Sequence, residues 1–217
     1  PLCNDIWGLS KSAWVDQPKV VALLHIEFTD GTFRDVITDN SWKTAPGPIV
    51  YDDTRHGELY DARLEQTGWS SPGFSEEGWQ NASVVQWHAR LESQMMPSIR
   101  CFTPLEPVKT ISKGGGIHVY DIGRNIAGWA RVTVRGPSGA RVLVEYCETP
   151  ADSGLVPGLT RSRFDYQVKD KHYATFYDKY VNVRQQNGYI LKGQGDETFE
   201  CHFSYKGFQY FRITADE

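Results

Sequence analysis

The sequence lacks the features that mark several large classes of protein. No run of about 18 apolar residues occurs, so no segment is long enough to span a membrane as a helix. With 23 Lys and Arg against 27 Asp and Glu, the net charge of -4 leaves no basic surface for nucleic acid or anionic lipid. There is no P-loop, no dinucleotide-binding fingerprint and no Ser-His-Asp motif. We therefore expect no nucleic-acid partner and no membrane partner.

Cysteine is also scarce and widely spaced. The chain has 4 cysteines, at positions 3, 101, 147 and 201, which are too far apart for a CxxC metal site. Asn81-Ala82-Ser83 is an N-glycosylation sequon, which can be used only on a secreted protein. In a secreted chain, four cysteines permit three pairings, and strand placement favours Cys147 with Cys201. These features predict a secreted, disulfide-bonded glycoprotein.

Aromatic residues and turn signals are abundant, whereas repeats, heptads and helices longer than two turns are missing. Short predicted strands at residues 117–122, 129–134 and 142–146 are separated by Gly-rich turns, a spacing typical of an antiparallel sandwich. Pro104 and Pro107 bracket a natural boundary. The 217 residues therefore predict an all-β chain of two antiparallel β-sandwich modules, residues 1–104 and residues 105–217.

One stretch concentrates the polar chemistry. Residues 47–69, GPIVYDDTRHGELYDARLEQTGW, hold five carboxylates among aromatic rings, and Gly57 divides them into a strand, a turn and a strand. Oxygen ligands suit calcium, and flat rings suit the C–H face of a sugar. The candidate sugar-binding residues are His56, Glu58, Tyr60, Asp61, Arg63 and Trp69. The candidate metal ligands are Asp52, Asp53 and, from a neighbouring turn, Asp39 and Asn40.

The same residues support a plainer interpretation. The carboxylates of this stretch can pair with Arg55 and Arg63 in a solvated loop, and Asp61 with Arg63 can form a structural ion pair. Asp39 and Asn40 suit an ordinary β-turn, and a buried tryptophan is commoner than a sugar-stacking one. The histidines other than His56 show no ligand spacing.

Three blocks follow one another in order: GPIVYDD with GELYDARLE and GWSSPGF, then DIGRNIAGW with GARVLVEYCE, then GYILKGQGDETFECHFSYKGFQYF. Together they resemble the non-catalytic β-domains of the α-L-rhamnosidases of glycoside hydrolase family 78. The resemblance covers nearly the whole chain. It implies a jelly-roll module that carries the GELYDAR block, followed by a concanavalin-like sandwich that opens with the DIGRNIAGW block.

The resemblance also implies a function. In some members the jelly roll is a rhamnose-binding module of carbohydrate-binding family 67, in which calcium bridges protein and sugar. The catalytic carboxylates of the family lie in a helical barrel, so we expect this chain alone not to be an enzyme. We expect lectin-like, calcium-assisted binding of rhamnose-containing glycans. The alternative is a non-catalytic fragment of an α-L-rhamnosidase.

The match begins partway into the jelly roll, at residues 4–9. We therefore expect a partner chain or a further domain to complete the first sandwich.

Overall fold

The structure is a computed structural model, and the strands of its described part confirm the all-β prediction. The described residues are 19–53, 57–86, 90–101, 103–148, 163–164, 181–182 and 185–216. Within them there is no α-helix, and one short 3-10 helix spans Ala62–Leu64. The strands are β1 (Leu23–Glu27), β2 (Phe33–Ile37), β3 (Lys43–Thr44), β4 (Ile49–Asp53), β5 (Gly57–Asp61), β6 (Gln80–Asn81), β7 (Lys109–Gly114), β8 (Ile117–Gly128), β9 (Val132–Val134), β10 (Arg141–Cys147), β11 (Arg163–Phe164), β12 (Val181–Asn182), β13 (Gln186–Ile190), β14 (Glu197–Phe199) and β15 (Lys206–Asp216).

A seven-stranded sheet organises the larger part of the molecule, in the order β4-β5-β13-β10-β15-β8-β7. Strand β10 lies near the middle, where Leu143 is opposite Gly188 of β13 on one side and Thr214 of β15 on the other. All neighbours are antiparallel except β5 and β13, which run parallel with Leu59 opposite Gly188. The parallel pair adds a mixed feature to the antiparallel sheet that the sequence predicted.

The hydrophobic core lies between this sheet and a second, two-stranded sheet of β9 and β14. Val142, Val144 and Tyr146 of β10 share one buried cluster with Val132 of β9 and Phe199 of β14. Successive strand residues point to opposite faces, so this cluster uses alternate residues of β10. The outer face of β9 and β14 is polar, with cross-strand pairs between positions 131 and 200, 133 and 198, and 135 and 196. This arrangement is a β-sandwich.

Two compact units divide the chain. The first contains the described residues of 48–65 and those from 101 onward, including the seven-stranded sheet. The second contains the described residues of 16–47 and 66–100, with the β1–β2 hairpin and the short β3–β6 pair. None of the described residues of the second unit is buried, and no helix in the described part could cross a membrane. The expected division at residues 104 and 105 stays a prediction.

The predicted bond between Cys147 and Cys201 is wrong. Both side chains are buried, but they are not joined to each other. Cys147 ends β10 opposite Tyr210 of β15, whereas the Cys201 thiol lies 3.0 Å from the carbonyl oxygen of Ser204. Strand placement alone could not show that the two buried thiols are not bonded to each other. Cys3 lies outside the described residues.

Candidate functional site

The predicted acidic stretch forms the edge of the seven-stranded sheet. Strand β4 pairs with β5 in an antiparallel hairpin, as the break at Gly57 predicted, and β5 then pairs with β13. Glu58 and Asp61 in β5 are 0% and 1% exposed. Burying an ionised carboxylate costs free energy unless it has close partners, so their contacts decide what they do.

Glu58 is held by a residue that lies 144 positions further along the chain. The backbone N–H of His202 donates to Glu58 Oε2 at 2.8 Å, and the ring Nδ1 of His202 lies 2.9 Å from Oε1. Both carboxylate oxygens therefore face one residue. The His202 side chain is 47% exposed, so the pair connects a fully buried group with the surface.

Asn187 extends this contact into the core. Its Oδ1 accepts from the backbone N–H of Glu58 at 3.1 Å, and its Nδ2 donates to the Tyr146 hydroxyl at 3.0 Å. The same hydroxyl accepts from the backbone N–H of Ala130 at 3.1 Å. Burial raises the pKa of Tyr146 above its usual value, so this phenol stays protonated. The network joins β5, β13 and β10 through polar groups that have partners.

Gly57 is required where β5 begins. Its φ is +120°, and a Cβ atom added there would lie 1.6 Å from the carbonyl oxygen of Gln186. No side chain fits at that distance, and the backbone angle alone disfavours L-residues. The glycine lets β5 approach β13 closely enough to place Glu58 beside Asn187.

Asp61 ends β5 and begins the 3-10 helix. One oxygen accepts from the Arg63 backbone N–H at 3.1 Å, which caps the helix. The Arg63 guanidinium donates to both oxygens, at 2.8 and 2.7 Å, in a bidentate ion pair. The predicted alternative of a structural Asp61–Arg63 ion pair is confirmed, although a helical turn rather than a strand brings the two together.

Tyr60 lies between a stack of rings and a surface ion pair. Its ring is parallel to those of His202 and Tyr189, with centroids 5.5 and 5.7 Å away. Its hydroxyl donates to Glu65 Oε1 at 3.0 Å, and Lys192 Nζ lies 2.6 Å from Glu65 Oε2. Burial, followed by the bond to Glu65, raises the pKa of Tyr60. At the exposed side of this cluster, the half-buried ring of Tyr60 lies beside His202.

The predicted metal ligands belong to both compact units, Asp52 and Asp53 to the first and Asp39 and Asn40 to the second. Asp52 lies in β4, half-buried, and Asp53 ends that strand. Asp39 accepts from the backbone N–H and hydroxyl of Ser41 at 2.8 and 2.5 Å, which lowers its pKa. Asn40 is exposed beside it in the same turn.

Among the described residues, no three His, Cys, Asp or Glu side chains are grouped to hold a metal. Trp69 belongs to the second compact unit and is 65% exposed. His56 lies outside the described residues. The assignment of all these residues to sugar or calcium stays a prediction.

His202 and Asn187 were not among the site residues predicted from the sequence. Neither residue lies within a short motif with its partner, and the contact to Glu58 spans most of the chain. The only local signal was composition: ECHFSY, residues 200–205, places an acid, a thiol and a histidine next to β15.

Two family models match the chain. One is described as the α-L-rhamnosidase N-terminal domain and matches residues 4–103. The other is described as the bacterial α-L-rhamnosidase concanavalin-like domain and matches residues 111–217. Together they account for almost all of the sequence, in the order in which the sequence blocks predicted them.

Named relatives agree with these matches. An α-L-rhamnosidase of Streptomyces avermitilis is 30% identical over 202 residues, which is 92% of this chain and 18% of the relative. The solved α-L-rhamnosidase of Dictyoglumus thermophilum aligns with a TM-score of 0.75 at 30% identity, over 89% of this chain and 20% of its own.

The solved S. avermitilis enzyme, in complex with L-rhamnose, aligns with a TM-score of 0.73 at 31% identity, over 89% of this chain and 17% of its own. The chain spans about a fifth of the length of the relatives that it matches. It belongs to the α-L-rhamnosidase family, of which it carries the N-terminal domain and the concanavalin-like domain.

Proposed function

We propose that this chain is a non-catalytic part of an α-L-rhamnosidase. We further propose that its acidic motif, residues 57–65, acts as a structural joint within that part. The proposal rests on the burial of Glu58 and Asp61, which are 0% and 1% exposed. Each carboxylate is bonded within the chain, Glu58 to His202 and Asp61 to Arg63. The joint attaches the segment 48–65 to strands from the C-terminal half.

The chemistry of glycoside hydrolysis supports the non-catalytic assignment. That reaction needs two carboxyl groups that flank one glycosidic bond, about 5–5.5 Å or 6.5–9.5 Å apart. Glu58 and Asp61 are the two buried acids of the motif, but His202 and Arg63 occupy their oxygens. A sugar could reach neither carboxylate without breaking those contacts.

An assay with an aryl α-L-rhamnoside tests the proposal. The purified chain of residues 1–217 should release no more phenol than buffer does, while an active α-L-rhamnosidase in the same buffer serves as the positive control. Release by the chain that disappears in Glu58→Gln would contradict both parts of the proposal, because it would make that carboxylate catalytic.

A second candidate function is the binding of terminal L-rhamnose, assisted by calcium. It is supported by the exposed ring of Trp69 and by the neighbouring S. avermitilis structure, which is a complex with L-rhamnose. The open turn at Asp39 and Asn40 adds oxygen ligands of the kind that calcium takes. The occupants that we propose are rhamnose-containing glycans.

Titration calorimetry separates this candidate from the first. The parent chain should release heat with L-rhamnose in calcium, and should lose affinity in chelator and in Trp69→Ala. Glu76→Ala, an exposed change outside the candidate set, should bind like the parent. The absence of heat in every titration would remove the binding candidate and leave the structural role.

We also propose that the chain is secreted and that a partner chain or a further domain completes the first sandwich. The second compact unit supports the latter, because Leu23, Leu24, Phe33 and Ile37 of its hairpin are each more than half exposed. An isolated two-stranded hairpin is marginal in water, so such a hairpin needs another surface for stability.

A further inference from the structure

We propose that Asn81 accepts an N-linked glycan when the chain enters a eukaryotic secretory pathway; the inference rests on the proposed secretion. Asn81-Ala82-Ser83 is the only Asn-X-Ser/Thr sequence in the 217 residues. A sequon is short enough to arise by chance, so the structural setting of its three residues carries the argument.

The setting of Asn81 leaves the correct atom available. Asn81 is exposed at the end of β6, opposite Lys43 of β3. Lys43 Nζ donates to Asn81 Oδ1 at 2.5 Å. The amide nitrogen Nδ2, which carries the sugar in an N-linked glycan, has no hydrogen-bond partner among the described residues. A glycan on Nδ2 therefore leaves the contact with Lys43 in place.

The other two residues of the sequon fit the same role. Ala82 is half-buried, and its backbone N–H donates to the Trp42 carbonyl at 2.8 Å. Ser83, like Asn81, is exposed. The alternation matches an extended chain, in which residues two apart lie on the same side. Asn81 and Ser83 are therefore both open to solvent, as a transferase that must recognise both residues requires.

The transfer needs one co-reactant, an oligosaccharide linked to a lipid through pyrophosphate. A bond forms between Asn81 Nδ2 and the anomeric carbon of the first sugar, and the bond from that carbon to the pyrophosphate oxygen breaks. The amide loses one proton, and the lipid pyrophosphate leaves with the bonding electron pair. No oxidant or reductant takes part.

Expression of residues 1–217 behind a cleavable signal in yeast tests the site. The secreted parent should gain the mass of one glycan, and digestion with a peptide-N-glycosidase should remove it and convert Asn81 to aspartate. Asn81→Gln and Ser83→Ala should lose the gain, and Ser83→Thr should keep it. Asn40→Gln is the matched control, since Asn40 is also exposed but has Trp42 two residues on.

Translation in the presence of microsomes gives the same readout for variants that are not secreted. An unmodified parent, or a mass gain that survives Asn81→Gln, would overturn the proposal. Neither readout depends on rhamnoside hydrolysis or rhamnose binding, so failure here is distinct from failure of the proposed function.

Discussion

Of the described glycines, Gly57 leaves the least room for a Cβ atom. An added Cβ atom would lie 1.6 Å from the Gln186 carbonyl oxygen, so either β5 must move away from β13 or the variant must not fold. We expect Gly57→Ala to lower the free energy of unfolding by more than about 4 kcal/mol. Urea denaturation followed by tryptophan fluorescence measures the loss.

Gly195 provides the matched control for that substitution. Its φ is +90°, but a Cβ atom there would meet nothing within 4 Å. Gly195→Ala should therefore cost only the left-handed backbone strain, about 1–2 kcal/mol. Equal losses in the two variants would show that the close approach of β5 to β13 is not formed in solution.

Glu197 makes stability depend on acid pH. Its carboxylate, which is nearly buried, accepts from the backbone N–H groups of Lys192, Gly193 and Gln194 at 3.0, 2.7 and 3.1 Å, and from the Tyr189 hydroxyl at 2.9 Å. Burial alone would raise its pKa, but these bonds outweigh burial and hold the pKa below 4.5. A group with a lowered folded-state pKa stabilises the fold above its unfolded pKa, and that stabilisation is lost as pH falls.

Glu197→Gln should therefore cost about 1–3 kcal/mol near pH 7. The difference from the parent should shrink as pH falls below 4.5, the ordinary value for a glutamate. Thermal unfolding across a pH series measures this. Glu106→Gln, an exposed glutamate in the same compact unit, should leave the pH profile unchanged. A constant difference at every pH would contradict the assignment.

Contacts between close neighbours in sequence could be predicted at this scale, and distant contacts could not. The Asp61–Arg63 ion pair spans two positions and was among the alternatives that the sequence offered. The contact between Glu58 and His202 spans 144 positions, and it exists only because β5 and the segment before β15 meet in the folded sheet. The sequence around either residue gives no indication of a contact with the other.

The strands differ in burial and in the number of neighbouring strands with which they pair. β10 is bonded on both sides, to β13 and β15, and Val144 within it is buried. β1 pairs only with β2 among the described strands, and Leu24 is more than half exposed. Amide protection follows burial and pairing, so the two should exchange through different openings.

In native-state hydrogen exchange, we therefore expect the β10 amides to exchange through global unfolding and the β1 amides through local opening. Exchange should be slower by orders of magnitude in β10 than in β1. Urea should accelerate exchange in β10 with the global slope and leave β1 nearly unaffected. Comparable protection in the two strands would contradict this expectation. It would mean that another surface covers the β1–β2 hairpin in solution.

Strand positions were largely predictable, because alternation and Gly-rich turns are local signals. The predicted strands at residues 117–122 and 142–146 lie within β8 and β10. The pairing of β5 with β13 was not predictable, since the two strands come from opposite halves of the chain. Its parallel direction follows from that long-range pairing rather than from any pattern within either strand.

At the scale of the whole molecule, the contacts join distant parts of the sequence. The described residues of the segment 48–65 group with those from 101 onward, while the described residues of the flanking segments 16–47 and 66–100 form the other compact unit. The acidic motif therefore belongs to the unit that contains the large sheet. If that motif is a structural joint, as proposed, removing its carboxylates should lower the free energy of unfolding even when no ligand is present.

A double-mutant cycle between Glu58 and His202, measured by urea unfolding of the parent, Glu58→Gln, His202→Ala and the double variant, tests this claim most directly. We expect a coupling of about 1–3 kcal/mol, because His202→Ala removes the ring contact to Glu58 Oε1 while the backbone N–H bond to Oε2 remains, and Glu58→Gln removes the charge that faces the ring. The exposed pair of Arg131 and Glu200, 3.0 Å apart, is the control and should couple by less than about 1 kcal/mol. A Glu58–His202 coupling no larger than that of the control would contradict a structural role for the acidic motif.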